Sequence, residues 1–313
     1  MKRLLIVYYS HSGDVDRAVN SFTKCLNISE FEIHRECIKP KIDYPYPWSL
    51  YKFFDVFPEC INNEAPEIYP PNFSEDDKFD LVILAYQVWF LSPSLPIQGF
   101  FKSKYAQVLQ NTKVITLVVS RNMWHSASET MKKMIADVGG IHVDNVVVTH
   151  QGKPLATFIS TPRLLLTGKT NGLWGVLPPG GVRDRTIDDL SRFGQQIANN
   201  LPALSDGCSD TYGGSQKPLL KGLDAVEVNP RYIIPELIGR IAYRPWAKII
   251  RLFGKQGSWR RRPIIYIFAI QLIFAIPIVL LVSTIIQFLF APLINKQIKS
   301  YVQLLKSPSS AVV

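Results

Sequence analysis

Residues 2–14 read KRLLIVYYSHSGD and give the clearest indication of the architecture. The apolar run from Leu4 to Tyr9 is too short for a signal peptide, and its length is typical of a buried strand. The polar turn Ser10-His11-Ser12-Gly13 follows it, and a helical pattern begins near Val15. A strand, a polar loop and a helix in this order predict the first unit of a parallel α/β sheet.

The same alternation continues over about the first 200 residues. Further strands are predicted at Phe31 to Arg35, Leu81 to Tyr86, Val114 to Val119 and Val143 to Thr149. Helical patterns are found at Asp14 to Leu26, Pro96 to Gln107, Ser126 to Val138 and Ile187 to Asn200. Strands rich in Val, Ile and Leu that alternate with helices indicate a parallel sheet covered on both faces. We therefore predict an α/β fold with a doubly wound, five-stranded parallel sheet.

Composition divides the chain into five parts. The predicted sheet domain occupies residues 1–204 and contains two insertions, at about 40–69 and 151–185. Residues 205–222 are rich in Ser, Gly, Asp and Pro and are predicted to be a linker. A basic, aromatic membrane-proximal segment (223–262), a transmembrane helix (263–291) and a C-terminal tail (292–313) complete the predicted organisation.

The C-terminal region is predicted to bind a membrane. Residues 263–295 contain no charged side chain, and about 20 apolar residues are enough to cross a bilayer. Pro277 should kink this helix. Arg260, Arg261 and Arg262 precede it, and such basic residues are attracted to anionic lipid, although a solvated charged face would show the same pattern. The charge bias predicts a single-pass protein of the cytoplasmic membrane with its N-terminal domain in the cytoplasm; a kinked hairpin that re-emerges on the same side is the alternative.

Charge, cysteine content and motif spacing argue against several classes of site. The formal net charge is +10, but the basic residues cluster before the apolar segment and no nucleic-acid-binding motif accompanies them, so nucleic acid is not an expected partner. The four cysteines, Cys25, Cys37, Cys60 and Cys208, form no close pair, which argues against a metal site or a disulfide framework. The tripeptide Gly168-Lys169-Thr170 lacks the upstream glycine of a P-loop.

The loop after the first predicted strand is the best candidate for binding an anion. Backbone N–H groups at a helix N-terminus and the helix dipole both favour a phosphate group. Ser10, Ser12 and Gly13 are the candidate ligands, and His11 lies among them. The alternative is that Ser12 or Asp14 only caps the helix.

This loop, in this position, resembles the phosphate loop of flavodoxins and flavin-dependent quinone reductases. The similarity covers roughly the first 200 residues and implies a flavodoxin-like fold that binds FMN. Asp14 and Asp16 depart from the small residues that usually follow the glycine. The resemblance further implies that the loops after the third and fourth predicted strands bind the flavin ring. The implied cofactor-binding residues are Tyr86, Val88, Trp89 and Phe90 in the first of these loops and Ser120, Asn122 and Trp124 in the second.

Two further groups of residues are assigned to the substrate. His125 and His150 follow strands at the same edge and are candidate proton donors, so we predict them as catalytic residues. Trp48, Tyr51 and Phe54 belong to the first insertion and are predicted to line the substrate pocket. Trp89 and Phe90 could instead pack in the core.

The two insertions and the apolar C-terminal segment look most like bacterial dialkylresorcinol condensing enzymes. This resemblance implies an FMN-dependent oxidoreductase that oxidises a dialkylcyclohexanedione to a dialkylresorcinol in resorcinol lipid or aryl polyene biosynthesis. The resemblance also implies a ketosynthase partner. The other expected partners are membrane lipid, a hydrophobic lipid-like or quinone-like substrate, and a second copy of the chain in a homodimer. Two alternatives remain at this stage, a membrane-tethered electron carrier and a cofactor-free membrane scaffold.

Overall fold

The structure is a computed structural model that describes residues 1–27, 29–173, 175, 177–200, 219–220 and 222–306. Its centre is a parallel sheet, because the apolar runs of the sequence form strands buried on both faces. The parallel strands are β1 (Lys2–Tyr8), β2 (Phe31–Cys37), β3 (Leu81–Trp89), β5 (Lys113–Ser120) and β6 (Ile141–Thr149). A two-residue strand, β4 (Ser92–Pro93), pairs antiparallel with the end of β3.

The strand order identifies the fold. The parallel strands lie in the order β2-β1-β3-β5-β6, with Leu4 of β1 aligned with Ile33 of β2 and Leu81 of β3. With the short β4 left out, this is the flavodoxin-like order 2-1-3-4-5. The chain has the flavodoxin-like fold. The predicted α/β class and the five-stranded, doubly wound parallel sheet are therefore confirmed.

Helices cover both faces of the sheet, as alternation of side chains along each strand requires. Leu4 and Ile6 pack with α1 (Asp14–Thr23) and α8 (Ser191–Asn199) on one face. Leu5 and Val7 pack on the other face, in the same core as residues of α4 and α5. The remaining helices of this part are α2 (Leu50–Asp55), α3 (Phe57–Asn62), α4 (Leu95–Lys102), α5 (His125–Asp137), α6 (Pro154–Thr167) and α7 (Asp184–Asp188).

The predicted elements differ from the structure mainly at their ends. The helix predicted at Pro96 to Gln107 is divided, since α4 ends at Lys102 and a 3-10 helix occupies Lys104–Leu109. The helix predicted at Ile187 to Asn200 is likewise two helices, α7 and α8. Most of the predicted linker, 205–222, lies outside the described residues, as does the end of the predicted tail. Beyond the predicted linker, the Ala225 carbonyl accepts a hydrogen bond of 2.9 Å from the Val147 N–H of β6.

Three helices form a C-terminal layer, defined here as α9 (Ile233–Leu252), α10 (Arg262–Leu289) and α11 (Ala291–Lys306). The segment Trp259–Leu289 is the one helix of the described residues that is long and apolar enough to cross a membrane, and its most apolar 18-residue stretch has a mean hydropathy of 2.8. Its first turns are not free of the sheet domain. Phe268 is fully buried and stacks on Phe57 of α3, with ring centroids 4.2 Å apart.

Arg261 corrects the sequence interpretation of the basic segment. Its side chain is fully buried and makes two hydrogen bonds of 3.0 Å to the carboxylate of Glu59, and a third to the Asp55 carbonyl. A bidentate guanidinium–carboxylate pair matches two parallel N–H donors to two oxygens. Arg261 therefore joins the start of α10 to the first insertion and does not face lipid, whereas Arg260 and Arg262 are exposed.

Candidate functional site

The candidate site lies at the carboxyl edge of the sheet, between β1 and β3. The chain runs from β1 to β2 on one side and from β3 towards β5 on the other, so the connections diverge at this point. Divergence opens a crevice, and ligands of open α/β sheets bind in that crevice. The loop after β1 and the loop after β3 are therefore the two walls of the site.

The loop after β1 has the shape of an anion cradle. Gly13 precedes α1 with φ of +93°, a left-handed conformation that residues with a side chain rarely adopt. No atom lies within 4 Å of the place where a Cβ on Gly13 would stand, so the turn is open on that side. Ser10, not Ser12 or Asp14, provides the side-chain cap, because its Oγ accepts a 3.2 Å hydrogen bond from the Asp16 N–H. Ser12 is left partly exposed beside Gly13.

The two acidic residues after Gly13 have partners within the protein. Asp14 is buried and forms an ion pair of 3.2 Å with Arg17, which also contacts Asp184 of α7. Asp16 accepts a hydrogen bond of 3.1 Å from the Tyr8 hydroxyl. Burial raises the pKa of Asp14, while Arg17 opposes that shift. The negative charge that Asp14 would place next to a bound phosphate is therefore reduced.

The second insertion closes over the same loop. A Cβ on Gly181 would lie 2.9 Å from Oδ2 of Asp14, so only glycine fits at this position without displacement. Gly181 also accepts a 3.0 Å backbone hydrogen bond from Gln151, which joins the two ends of the insertion. The pair Gly180-Gly181 is the sequence feature that could have indicated this contact, but the sequence alone did not predict a role for it.

The structure brings His150 to the phosphate loop. Its Nε2 lies 3.8 Å from Oδ2 of Asp14, and its Nδ1 lies 3.1 Å from the Thr161 hydroxyl of α6. Burial, with a smaller contribution from Arg121, lowers the pKa of His150 to about 4. The imidazole is therefore neutral near pH 7 and can hold or pass a proton beside Asp14.

An aromatic cluster covers the crevice between the two walls. His11 lies at its centre and is buried. A 3.0 Å contact between its Nε2 and the Pro45 carbonyl holds it in place. The centroid of Trp48 is 4.8 Å from that of His11, and Trp89 of β3 is 5.7 Å away, edge-on. Tyr44 lies 5.2 Å from Trp89. Trp48 of the first insertion and Trp89 of the third strand, predicted separately, are therefore brought together.

The remaining residues of the predicted substrate wall face elsewhere. The Tyr51 hydroxyl donates a 3.1 Å hydrogen bond to the Ser258 carbonyl, and the Tyr51 ring lies under Arg262. Phe54 contacts Phe268 of α10, with centroids 6.0 Å apart. Both side chains pack against the C-terminal layer because α2 begins after Trp48 and turns the chain away from the crevice. Tyr51 and Phe54 are therefore not placed beside the phosphate loop.

The loop after β5 is closed. Trp124 and His125 are each 1% exposed, and Nδ1 of His125 lies 3.0 Å from the Glu236 carboxylate of α9. The other oxygen of Glu236 accepts a hydrogen bond of 2.5 Å from the Ser126 N–H. The structure thus places His125 at the junction with α9 and does not bring it together with His150.

The other residues predicted to bind the cofactor after β3 and β5 lie either in the core or at the carboxyl edge of the sheet. Tyr86 is fully buried in the core, and Val88 is partly buried against it. Phe90 adopts φ of +48° in the tight turn to β4 and contacts Phe57. The amide of Asn122 donates a 3.1 Å hydrogen bond to the Thr157 hydroxyl. Ser120 lies at the carboxyl edge with its hydroxyl buried.

Arg121 is a residue of this edge whose role the sequence did not indicate. Its guanidinium lies 3.6 Å from the ring centroid of Phe158 on α6, and burial lowers its pKa to about 10. At that value the guanidinium remains charged near pH 7. The position of Arg121 directly after an apolar strand could have marked it as a candidate site residue. Its stacking partner Phe158 could not be predicted in the same way, because it lies 37 positions further along the chain.

Comparisons with known proteins found similarity to solved structures alone. Neither the family models nor the curated proteins include a match to this sequence. Among solved structures, a flavoprotein in complex with FMN from Lactobacillus acidophilus NCFM is 19% identical, with a TM-score of 0.38, over 47% of this chain and 93% of that one. A flavodoxin from the domain Archaea is 11% identical, with a TM-score of 0.33, over 64% and 99% of the two chains.

A longer protein, the rubredoxin oxygen:oxidoreductase from Desulfovibrio gigas, is 9% identical, with a TM-score of 0.36, over 66% of this chain and 38% of that one. At these low similarities, the fold assignment rests on the strand order of this chain. Function has to be argued from its own residues.

Proposed function

We propose that the chain is a membrane-associated, FMN-dependent oxidoreductase that acts on a hydrophobic substrate. The phosphate end of the site supports this proposal. Gly13 leaves the turn before α1 open, and Ser10 and Ser12 stand on either side of His11 in that turn. Arg17 neutralises the nearest acid. These residues would hold the phosphate of FMN at the N-terminus of α1.

The ring end also offers suitable groups. The Gln87 amide nitrogen and the Ser120 hydroxyl are buried at the carboxyl ends of β3 and β5, and neither has a hydrogen-bond partner among the described residues. Buried polar atoms of this kind cost free energy unless a ligand or water satisfies them. Trp89 would provide an aromatic surface, and bound FMN would supply two-electron transfer to or from the substrate.

The observation that carries the choice of a hydrophobic substrate is a continuous path of aromatic rings. It runs from the candidate site to the apolar helix α10. The centroid separations are 6.3 Å for Trp48 and Phe53, 5.1 Å for Phe53 and Phe90, 5.2 Å for Phe90 and Phe57, and 4.2 Å for Phe57 and Phe268. Phe57 and Phe268 are fully buried, so an apolar molecule that left a bilayer beside α10 would have to part these rings to follow the path. Burial of apolar surface would stabilise its transfer towards the site.

Proton handling is assigned to His150 and Asp14. His150 is neutral at pH 7 and lies 3.8 Å from Asp14, whose own pKa is raised by burial. With a pKa of about 4, the His150 imidazole would not retain a proton near pH 7, and it would pass a proton released during a two-electron oxidation on to Asp14. The Thr161 hydroxyl at Nδ1 would orient the ring.

The finer expectations from the resemblance remain predictions. These are oxidation of a dialkylcyclohexanedione to a dialkylresorcinol, a role in lipid biosynthesis, a ketosynthase partner and a homodimer. A single-pass location in the cytoplasmic membrane, with the sheet domain in the cytoplasm, has the same standing.

The test is a spectrum followed by turnover. Detergent-purified full-length protein should absorb near the visible bands of bound flavin and release FMN on denaturation. It should then oxidise alkylated cyclohexane-1,3-diones when a short-chain quinone is added to reoxidise the flavin, or pass electrons from a chemical reductant to that quinone. Bound FMN without turnover of either class would favour an electron carrier, and a colourless protein that ignores added FMN would favour a membrane scaffold.

A further inference from the structure

The apolar helix α10 keeps one face towards the protein along its whole length. Side chains that are buried or half-buried recur at intervals of three and four residues, which places them on a single helical face. They are Ile264, Ile265, Phe268, Ala269, Leu272, Ala275, Ile276, Val279, Leu280, Ser283, Ile286 and Gln287. Ser283 is fully buried although it lies six residues before the end of the helix. A helix that left the domain to cross lipid would lose this pattern after its first turns.

Both ends of α10 contact the same body. At its start, buried Arg261 pairs with Glu59 and Phe268 stacks on Phe57. Near its end, the Gln287 amide donates a 3.2 Å hydrogen bond to the Arg231 carbonyl, just before α9. A 28-residue helix is about 42 Å long. It therefore lies along α9, in the opposite direction.

The helix that follows returns directly to the sheet domain. Leu305 near the end of α11 is fully buried in the core that contains α5, and the Lys132 ammonium of α5 donates a 2.9 Å hydrogen bond to the Leu304 carbonyl. α11 has 16 residues, or about 24 Å, and begins two residues after α10 ends. If α10 crossed a hydrocarbon core of about 30 Å, Leu305 would be held on the far side or within the bilayer.

The outer face of the C-terminal layer combines apolar and basic groups. Exposed apolar side chains on α10 include Ile273, Phe274, Leu281 and Phe288, which are 63–82% exposed. Nearly all the net charge is in this part of the chain, since residues 223–306 contain 12 of the 35 basic residues and 3 of the 25 acidic ones. Exposed members are Arg240, Arg244 and Lys248 on α9, Arg260 and Arg262 before and at the start of α10, and Lys296 and Lys299 on α11.

We infer that the C-terminal layer binds in the plane of an anionic lipid bilayer, with the outer face of α10 in the headgroup and acyl boundary and no segment across the membrane, an arrangement that replaces the single-pass location expected from the sequence. Apolar side chains flanked by Lys and Arg are the pattern of helices that lie in the interface. The inference rests on the membrane association in the proposed function and is independent of the flavin. It places the aromatic path from Phe268 to Trp48 directly above the lipid surface.

The test compares the sides of the membrane on which two exposed positions lie. Ser29→Cys, in the sheet domain, and Ser300→Cys, on α11, are each introduced into the full-length chain with Cys25, Cys37 and Cys208 replaced by Ser. Buried Cys60 is retained. Membrane vesicles from expressing cells are treated with a membrane-impermeant maleimide before and after detergent, and the labelled fraction of each variant is measured.

In-plane binding predicts equal labelled fractions for the two positions in intact vesicles, within about twofold. A crossing helix predicts complementary fractions, because each vesicle would expose one position and protect the other; this result would overturn the inference. Protein that does not sediment with membranes would refute both the inference and membrane association. The flavin spectrum of the same samples tests the redox proposal separately.

A charge variant provides a second measurement. Arg240, Arg244 and Lys248 are replaced together by Gln, and the control variant replaces the exposed residues Lys24, Arg183 and Arg185. These lie at the ends of α1 and α7, which pack on the face of the sheet away from the core that contains Leu305. Binding of detergent-diluted protein to vesicles of phosphatidylcholine and phosphatidylglycerol should weaken roughly 100-fold in the first variant, or about fivefold for each charge. It should be nearly unchanged in the control. Equal losses in both variants would contradict a directed lipid-binding face.

Discussion

The loops after β1 and β5 occupy equivalent places in the chain but have different structures. Each follows a buried strand, carries polar and aromatic residues and leads into a helix. The first remains open at Gly13, whereas the second is sealed, with Trp124 and His125 buried and Glu236 of α9 bound to its helix N-terminus. Position in a fold therefore identifies candidate loops, but a distant segment can convert one of them into a structural junction.

This difference assigns separate roles to the two loops. The loop after β1 should determine cofactor affinity, and the loop after β5 should determine how firmly the C-terminal layer is attached. Variants in each loop should therefore change one property and leave the other.

The largest expected effect is on stability. Glu236→Ala removes the acceptor of the Ser126 N–H and the partner of His125 in the interior. Leaving the buried Ser126 N–H without its acceptor costs about 1–3 kcal/mol. Thermal unfolding in detergent should show a large fall in Tm, while FMN affinity of the folded protein stays within about threefold.

Two variants control this prediction. Glu236→Gln retains one oxygen acceptor and should be less destabilising than Glu236→Ala. Glu227→Ala removes an exposed acid of the same segment and should be nearly neutral. A large loss of FMN affinity with an unchanged Tm in Glu236→Ala would mean that the loop after β5 belongs to the cofactor site.

The second effect is on cofactor binding. Gly13→Val forces a β-branched residue into a left-handed conformation and fills the open side of the turn. We expect FMN to bind about 100-fold more weakly, measured by flavin fluorescence titration. Gly222→Val is the matched control, since Gly222 has φ of +86° and similar open space but lies far along the chain from the phosphate loop. Equal affinity in both variants would remove the phosphate loop from the site.

The third effect is on the pH dependence of stability. The pKa of His150 is near 6.5 when unfolded and about 4 when folded, so between these values the folded protein binds fewer protons than the unfolded protein. Stability should therefore fall as the pH decreases from 6.5 to 4, by up to about 1.4 kcal/mol per pH unit for this residue. Burial lowers the pKa of His142 to about 3, which adds a loss of the same sign.

Unfolding midpoints at a series of pH values check this prediction. His150→Gln should reduce the slope between pH 6.5 and 4, leaving the part due to His142. His34→Gln changes a partly exposed histidine on β2 and should leave the slope as it is. An unaltered slope in His150→Gln would show that His150 is not buried as a neutral group.

The smallest effect concerns Asn122. Asn122→Ala removes the hydrogen bond to Thr157, which costs about 1 kcal/mol of stability. If the cofactor contacts β5 at Ser120 and not the loop beyond it, FMN affinity should change by less than about threefold. A tenfold loss, measured in the same titration as Gly13→Val, would return this loop to the cofactor site.

The sequence by itself determined the sheet. Runs such as Leu81 to Tyr86 are too apolar to be stable anywhere except between two covering layers, so their class and their parallel arrangement follow from local composition. The loop Ser10-His11-Ser12-Gly13 was also predictable, because its shape depends on one glycine and on the start of the next helix.

Only the tertiary structure decided which neighbouring groups meet. His125 and His150 look alike in the sequence, yet one is buried against Glu236 and the other faces Asp14. Arg261 is buried while its neighbours Arg260 and Arg262 are exposed, because it pairs with Glu59, 202 positions earlier in the chain. Such contacts depend on long-range packing of the C-terminal layer, and neither period nor composition encodes them locally. The direction of α10 also depends on long-range packing, because it is set by the residues that contact its two ends. Its hydropathy does not determine it.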